Sequence, residues 1–420
     1  MQRTTKLLAN TITAALCLGA NIVHAEDEQV QVHTVDVQMH AQDENPWLLG
    51  SWGGQRAALA EKGLSFEVVA TVDVLADVSG GLRRRTATPA TLDAVMTLDT
   101  GAAGWWQNGT LNVYLLGTAG ADTNDNVGAL QVASNIEAPN TFKVYEAWYE
   151  QRFFDDKFSV LVGLHDLNSE FYVTDLSGMF INSSFGNGQE IAQVGPSIFP
   201  TTAVAGRLRF APTEHTYIMG AVYDGVPGDP NDAYGTHIQF NKGDGVLTIG
   251  EIGVTGGAVG TAGAERYFKL AFGGWNQTQF DNMITGARED NTGFYTVGEM
   301  DLWRGEDGRG LGMFGQLGFA QSDRTQTDFY GGGGLNWTGP FASRAADVFG
   351  VAYAQARNGD DFLHANPGFE NAETVVEVTY QVDVMPGVMV QPDLQYFINP
   401  GTDPTISDAV VVGLRVQIEL

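Results

Sequence analysis

Residues 408–420 read D-A-V-V-V-G-L-R-V-Q-I-E-L. Val410, Val412, Leu414, Val416, Ile418 and Leu420 are apolar, while Val411, Gly413, Arg415, Gln417 and Glu419 between them are mostly polar or small. A period of two predicts a β-strand with one apolar face and one wet face. The chain ends with this strand. A terminal amphipathic strand is what a closed transmembrane β-barrel requires, because lipid tolerates no unpaired sheet edge.

The same alternation runs back to Leu64. Phe66, Val68, Ala70, Val72, Val74, Ala76 and Val78 alternate with a second set that contains Glu67, Thr71, Asp73 and Asp77. Seventeen segments carry the pattern, from 64–78 to 408–420. Single-chain bacterial barrels have even strand numbers and both termini in the periplasm. Segment 235–241 is short and lies between Gly-Asp-Pro-Asn and Lys-Gly-Asp-Gly, so it is assigned to an external loop hairpin. The expected fold is therefore all-β: a transmembrane antiparallel β-barrel of sixteen strands over residues 64–420. The longest connection, 166–202, follows the fifth strand and so lies on the outer side. Phe171, Tyr172, Phe180, Phe185 and Phe199 argue that it is ordered and folded into the lumen.

Upstream, Arg3 and Lys6 precede a mostly apolar stretch from Thr11 to Val23, and Val23-His24-Ala25 ends it. Residues 1–25 are read as a signal peptide cleaved near Ala25. Residues 26–45 are read as a flexible periplasmic leader. Residues 46–63 hold a short periplasmic helix, rich in helix formers from Arg56 to Lys62 and closed by Gly63.

Composition narrows the function. No run of apolar residues is long enough for a transmembrane helix. The 53 glycines suit strands and tight turns. The only cysteine, Cys17, lies in the signal segment, which leaves the exported chain without a thiol nucleophile, a disulfide or a cysteine metal ligand. With 50 acidic against 22 basic residues the formal charge is −28, which argues against nucleic acid. On a barrel, acidic outer loops would lie beside lipopolysaccharide, with divalent cations bridging carboxylates to phosphates. Of the seven histidines, none pairs at metal-ligand spacing, and no nucleophile elbow occurs. Gly331–Gly334 lacks the lysine of a phosphate loop and marks a place where small residues let backbone or a plug element approach. No cofactor and no metal is expected.

The lumen offers better candidates. Arg207 and Arg209 lie two apart on one strand, directly after the long loop. One reading sets them across a constriction from Asp166, Glu170 and Asp175, where opposed charges order water and favour polar neutral solutes. The other has them tie the loop to the wall. Trp148 shares the wet face with Glu146 and Glu150, either as a stacking ring or as packing under the loop. Arg415 and Arg344 are further lumen candidates. Tyr145, Tyr149, Tyr353, Tyr380 and Tyr396 fall on apolar faces and read as an interfacial girdle.

Several stretches together resemble the carbohydrate-selective porins of the OprB type. They are Trp52-Gly53-Gly54 with Arg56, Leu59 and Gly63; Tyr145-Glu146-Ala147-Trp148; Asp166-Leu167-Asn168-Ser169-Glu170-Phe171; Phe180 to Gly186; Ala221 to Gly225; Gly339-Pro340-Phe341 with Arg344 and Asp347; Glu377 to Tyr380; Val390 to Tyr396; Ile398 to Gly401; and Gly413-Leu414-Arg415. They occur in the family's order over roughly residues 50–420. The resemblance implies a sixteen-stranded outer-membrane barrel that passes small sugars by facilitated diffusion, with outer-membrane lipid, lipopolysaccharide and the barrel-assembly machinery as partners; its oligomeric state stays open. Leu420 departs from the terminal aromatic usual in outer-membrane barrels. The net charge keeps a general cation-preferring porin as the alternative. An outer-membrane enzyme and a secreted soluble β-protein are the rivals from other classes.

Overall fold

The computed structural model describes residues 47–228, 236, 238, 240–260 and 265–420. The signal and leader segments, 1–25 and 26–45, lie outside the described residues. Sixteen long strands form the wall: β1 (Leu64–Gly81), β2 (Ala90–Asp99), β3 (Gly109–Ala119), β4 (Thr141–Phe153), β5 (Phe158–His165), β6 (Ala203–Thr213), β7 (Thr216–Asp224) and β8 (Val246–Gly256). They continue as β9 (Phe268–Asp281), β10 (Arg288–Arg304), β11 (Gly310–Ala320), β12 (Thr327–Thr338), β13 (Val348–Asn358), β14 (Ala372–Met385), β15 (Val388–Ile398) and β16 (Ser407–Glu419). Each pairs antiparallel with its sequence neighbour, and β16 pairs back onto β1, so the ring has no free edge. A two-residue strand, Thr86–Ala87, folds back beside Leu75 and Ala76 of β1. The described residues within 235–241 belong to no strand, so the ring closes at sixteen.

The two faces follow the predicted parity. On β11, Met313, Leu317 and Phe319 are exposed outward, whereas Phe314 and Gln316 are buried inward. Outward apolar side chains face hydrocarbon, where exposure to water is not the relevant cost. Near Tyr145 the parity breaks. A bulge on β4 shifts the register between Tyr114 and Leu115 of β3. It turns Tyr145 inward, where it is buried against Tyr114 with ring centroids 4.9 Å apart. Tyr145 is thus not part of the girdle. Tyr353 and Tyr396 remain exposed on the outer face.

The seam between the first and last strands is reinforced twice. Inside the barrel, Asp73 lies opposite Arg415, whose Nε and Nη2 donate to its two carboxylate oxygens at 2.7 and 2.8 Å. At the end where the chain enters β1 and leaves β16, helix α1 (Gln55–Ala60) follows Trp47 and Trp52, which pack with Val68, Ala70 and Ile418 against Leu420. The Arg56 guanidinium lies 4.2 and 4.3 Å from the centroids of these two tryptophan rings and donates to the Leu420 carbonyl at 2.8 Å. The two tryptophans thus supply aromatic surface beside Leu420. Gly63, predicted as the helix stop, has φ +77, and a Cβ there would collide with the Asp99 carbonyl.

Arg415→Met should leave Asp73 buried without its counter-ion and destabilise the barrel by about 3–5 kcal/mol. Adding Asp73→Leu to that variant makes the pair apolar on both sides and should recover most of the loss. Urea unfolding in detergent micelles, followed by the heat-modifiable shift on gels, measures both.

Candidate functional site

The barrel interior is not an open lumen. Two loops from its outer end fold into it. The first is the predicted connection between β5 and β6. The second, between β3 and β4, spans residues 120–140 and was not anticipated from the sequence. Between them they reach wall positions from β8 to β16 and β1.

A strand in a closed sheet has no spare backbone groups, so only inward side chains can satisfy the backbone of the loops. Four wall glutamates do this. Glu377 accepts the Ile181 and Asn182 N–H groups at 2.7 and 2.9 Å. Glu299 accepts those of Asp175 and Leu176 at 3.0 and 2.8 Å. Glu251 accepts the Tyr172 N–H at 3.1 Å and the hydroxyls of Tyr217 and Tyr295. Glu373 accepts Leu130 and Gln131 of the second loop, each at 2.7 Å, and Gly401 at 2.6 Å. Wall donors hold the loop carbonyls in the complementary sense. Gln391 donates to Met179, Gln395 to Ala133, Asn336 to Leu176, Lys269 to Val173 and Tyr330 to Ser184.

Between these anchors the loops bury an apolar core inside the barrel. Leu176, Met179, Phe180, Ile181 and Phe185 pack on Phe314, Tyr330, Val375 and Phe397. Leu167, Phe171, Tyr172 and Ile191 pack on Tyr217, Tyr223, Trp275 and Tyr295. The wall is thinned where the loop approaches most closely. A Cβ at Gly350 would overlap Met179 and Phe180, and one at Gly312 would overlap Leu176. Within the glycine run, Gly332 and Gly334 give the same relief to the rings of Tyr330 and Phe314.

The residues singled out from the sequence fall into distinct groups. Arg207 is buried and donates to Glu170 at 2.5 and 2.6 Å, to Glu150 at 2.8 Å and to the Ser159 hydroxyl at 2.5 Å. Its charge is therefore spent within the wall and loop contact, and Glu170 and Glu150 stand beside it rather than across a gap. Asp166 caps the turn Leu167–Ser169 and accepts from the Tyr145 hydroxyl at 2.6 Å, while its own N–H donates to Glu146 at 2.7 Å. Asp175 accepts from the Tyr267 hydroxyl at 2.5 Å. Trp148 is buried edge-on to His165. Arg415 holds Asp73 and the Asn135 side-chain oxygen, the latter at 2.6 Å. Arg344 pairs with Asp347 outside the lumen, in the connection between β12 and β13. Arg209 differs from Arg207. It is half-exposed, its guanidinium lies 5.5 Å from the Tyr217 ring centroid, and among the described residues no carboxylate reaches it at ion-pair distance.

Inward wall side chains that keep solvent exposure include Asp93, Tyr114, Arg209 and Lys269, with Asn135, Glu170 and Asp175 from the loops. Asp93 accepts from Tyr114 at 2.6 Å and from Thr91 at 2.9 Å. Asp93 was legible as a wet-face residue. Asn135 was not, because its placement depends on a loop whose anchors lie more than two hundred residues away.

A family model described as carbohydrate-selective porin, OprB family, matches residues 84–420. The chain is similar to Porin B of Pseudomonas aeruginosa, with 23% identity over 418 residues that cover 88% of this chain and 90% of that one. It is also similar to the putative porin QuiX of Acinetobacter baylyi, at 22% identity over 89% of this chain and 92% of that one. Among solved structures, that of OprB from Pseudomonas putida at high pH superposes with a TM-score of 0.80 at 20% identity, over 90% of this chain and all of the other.

Two outcomes follow from the anchors. Glu299→Ala removes the acceptor for two loop N–H groups at a cost of about 1–3 kcal/mol for each group left buried, and should raise single-channel conductance and its noise. Glu190, in the helical turn Gln189–Ala192, is wholly buried against Gly318. Burial pushes its carboxyl up to about 8 from 4.5. A raised acid favours the folded form while it holds its proton, so that contribution is complete below the ordinary value and is lost as pH rises through about 8. Amide exchange of residues 186–195 should accelerate across that interval, and Glu190→Gln should flatten the dependence.

Proposed function

Because the chain belongs to the OprB family of carbohydrate-selective porins, outer-membrane channels for sugar diffusion, we propose that its solutes cross through the gap that the two lumen loops leave free. The observation that carries this reading is the contrast between Arg207 and Arg209. One is consumed in buried ion pairs; the other is half-exposed, with its guanidinium over a tyrosine ring. On this reading Arg209, Lys269, Asp93, Tyr114, Asn135 and Asp175 border the passage. Sugar hydroxyls exchange hydrogen bonds with such groups, which offer donors and acceptors in turn. Weak binding at several positions lets a solute enter and also leave. No covalent step is involved.

The general cation-preferring alternative draws on the acidic composition. Glu251, Glu299, Glu373 and Glu377 accept loop N–H groups in buried positions, which supports giving that composition less weight. Residues 1–25 are taken as a signal peptide removed near Ala25, with insertion by the barrel-assembly machinery.

Swelling of liposomes that contain the refolded protein should be faster in glucose than in amino acids of matched size. Equal rates graded only by size would make the channel a general one. Arg209→Ala should change the sugar rate and move the reversal potential in a salt gradient toward cations, by an amount on the order of one lost charge near the passage. Arg207→Ala should instead act through loop order and lower stability. Unchanged flux and unchanged selectivity in Arg209→Ala would remove that residue from the path.

A further inference from the structure

Arg83, Arg84 and Arg85 are consecutive, and all three are exposed. They stand at the tip where β1 turns into the two-residue strand Thr86–Ala87. In a chain with more than twice as many acidic as basic residues, three adjacent cations without counter-ions are unusual. Among the described residues, none of the three has a carboxylate within ion-pair distance. Asp125, beside the Asn126 whose carbonyl holds this segment, is exposed and makes no ion pair among the described residues, while Asp408 and Asp77 are each hydrogen-bonded within the fold. Asp408 accepts from the Tyr396 hydroxyl and the Asn399 N–H, each at 3.0 Å. Asp77 accepts the Ser79 N–H at 3.1 Å, and it feels the Arg84 charge without contacting it.

The backbone under the cluster is held in place. The Leu82 and Arg83 N–H groups donate to the Asn126 carbonyl at 2.6 and 2.9 Å, and the Asp77 N–H donates to the Arg85 carbonyl at 3.0 Å. Arg85 is therefore level with Asp77 and Val78. Val78 is outward-facing and 49% exposed, the last apolar residue of the lipid-facing row on β1. The three arginines thus stand just above the hydrocarbon boundary on the outer side, and a neighbouring Leu82 is 53% exposed. That level is where the outer leaflet carries its headgroup phosphates. Guanidinium groups bind phosphate oxygens in forked pairs, and a cluster of them is drawn to an anionic surface.

We propose that Arg83, Arg84 and Arg85 form a docking surface for the phosphate groups of lipopolysaccharide in the outer leaflet. The site lies at the top of the β1–β16 seam, so a bound lipid would brace the closure from outside. It requires no divalent cation.

The test uses the full refolded protein in detergent, with bisphosphorylated and dephosphorylated lipid A as probes. The unchanged protein should retain bisphosphorylated lipid A, with retention that falls as salt rises, and should retain the dephosphorylated form poorly. The triple variant R83Q/R84Q/R85Q should bind the phosphorylated probe roughly a hundredfold more weakly. The triple lysine variant, which keeps the charge, should retain most of the binding. Heat-modifiable migration checks that each variant is folded. Binding unaffected by the glutamine variant, or indifferent to the phosphates, overturns the proposal. So does a glutamine variant that keeps lipid binding while its reversal potential shifts, which would make the cluster a charge at the channel mouth. Sugar-driven swelling in phospholipid vesicles free of lipopolysaccharide should be the same for all three proteins, so this outcome is separable from the sugar pathway.

Discussion

A carboxylate that accepts two successive backbone N–H groups is the interaction on which the interior depends. Each loop enters a cavity where its N–H groups cannot reach the sheet, since the strands use their own backbone in the ladder. An unpaired N–H would cost about 1–3 kcal/mol, and a loop contains many of them. Glu299, Glu373 and Glu377 each present two oxygens to a pair of neighbouring N–H groups, so one side chain settles two donors and fixes the local direction of the chain. The loops thereby rest at a set depth. The apolar packing around Phe180 and Phe185 then becomes possible, because Phe180 and Met179 arrive where Gly350 has left room and Leu176 where Gly312 has.

Closure of the ring uses a different logic. The β1–β16 pairing is the last one that the chain makes, and it joins residues more than three hundred positions apart. Asp73 and Arg415 give that pairing a register from inside, since a slip of either strand by one residue would turn its charge into lipid and leave the other unpaired. From outside, Trp47, Trp52 and Arg56 cover the same joint at its lower end and hold the carbonyl of Leu420.

Much of this architecture was legible in the order of residues. The wall was, because lipid on one side and a polar interior on the other impose strict alternation, and the rule of even strand number reduces the seventeen alternating segments to sixteen. The inward direction of Arg207, Arg209, Trp148 and Glu150 followed from parity alone. The crowding at Gly331–Gly334 was legible from the run of small residues. The loop at 120–140 was not legible. Its stretch from Ala121 to Asn140 is polar and short of aromatics, which is how an ordinary surface turn reads, and its anchor Glu373 is far away in sequence. The inward turn of Tyr145 depends on a bulge, which alternation cannot locate. The acidic wet face suggested water-filled space, whereas many of those carboxylates are occupied by backbone. Parity tells which way a side chain points and not what meets it there.

The anchors grip main chain, and that has a consequence for how such a channel can change. Every residue except proline offers the same N–H, so replacing a loop side chain leaves the grip intact. Loop side chains that hold no wall group are then open to substitution at little architectural cost, while Glu299, Glu373 and Glu377 are not. Scaffold and selectivity are thus inherited separately. A lineage can drift through solute preferences on an unaltered frame, as a fold held in common at 20% identity would require.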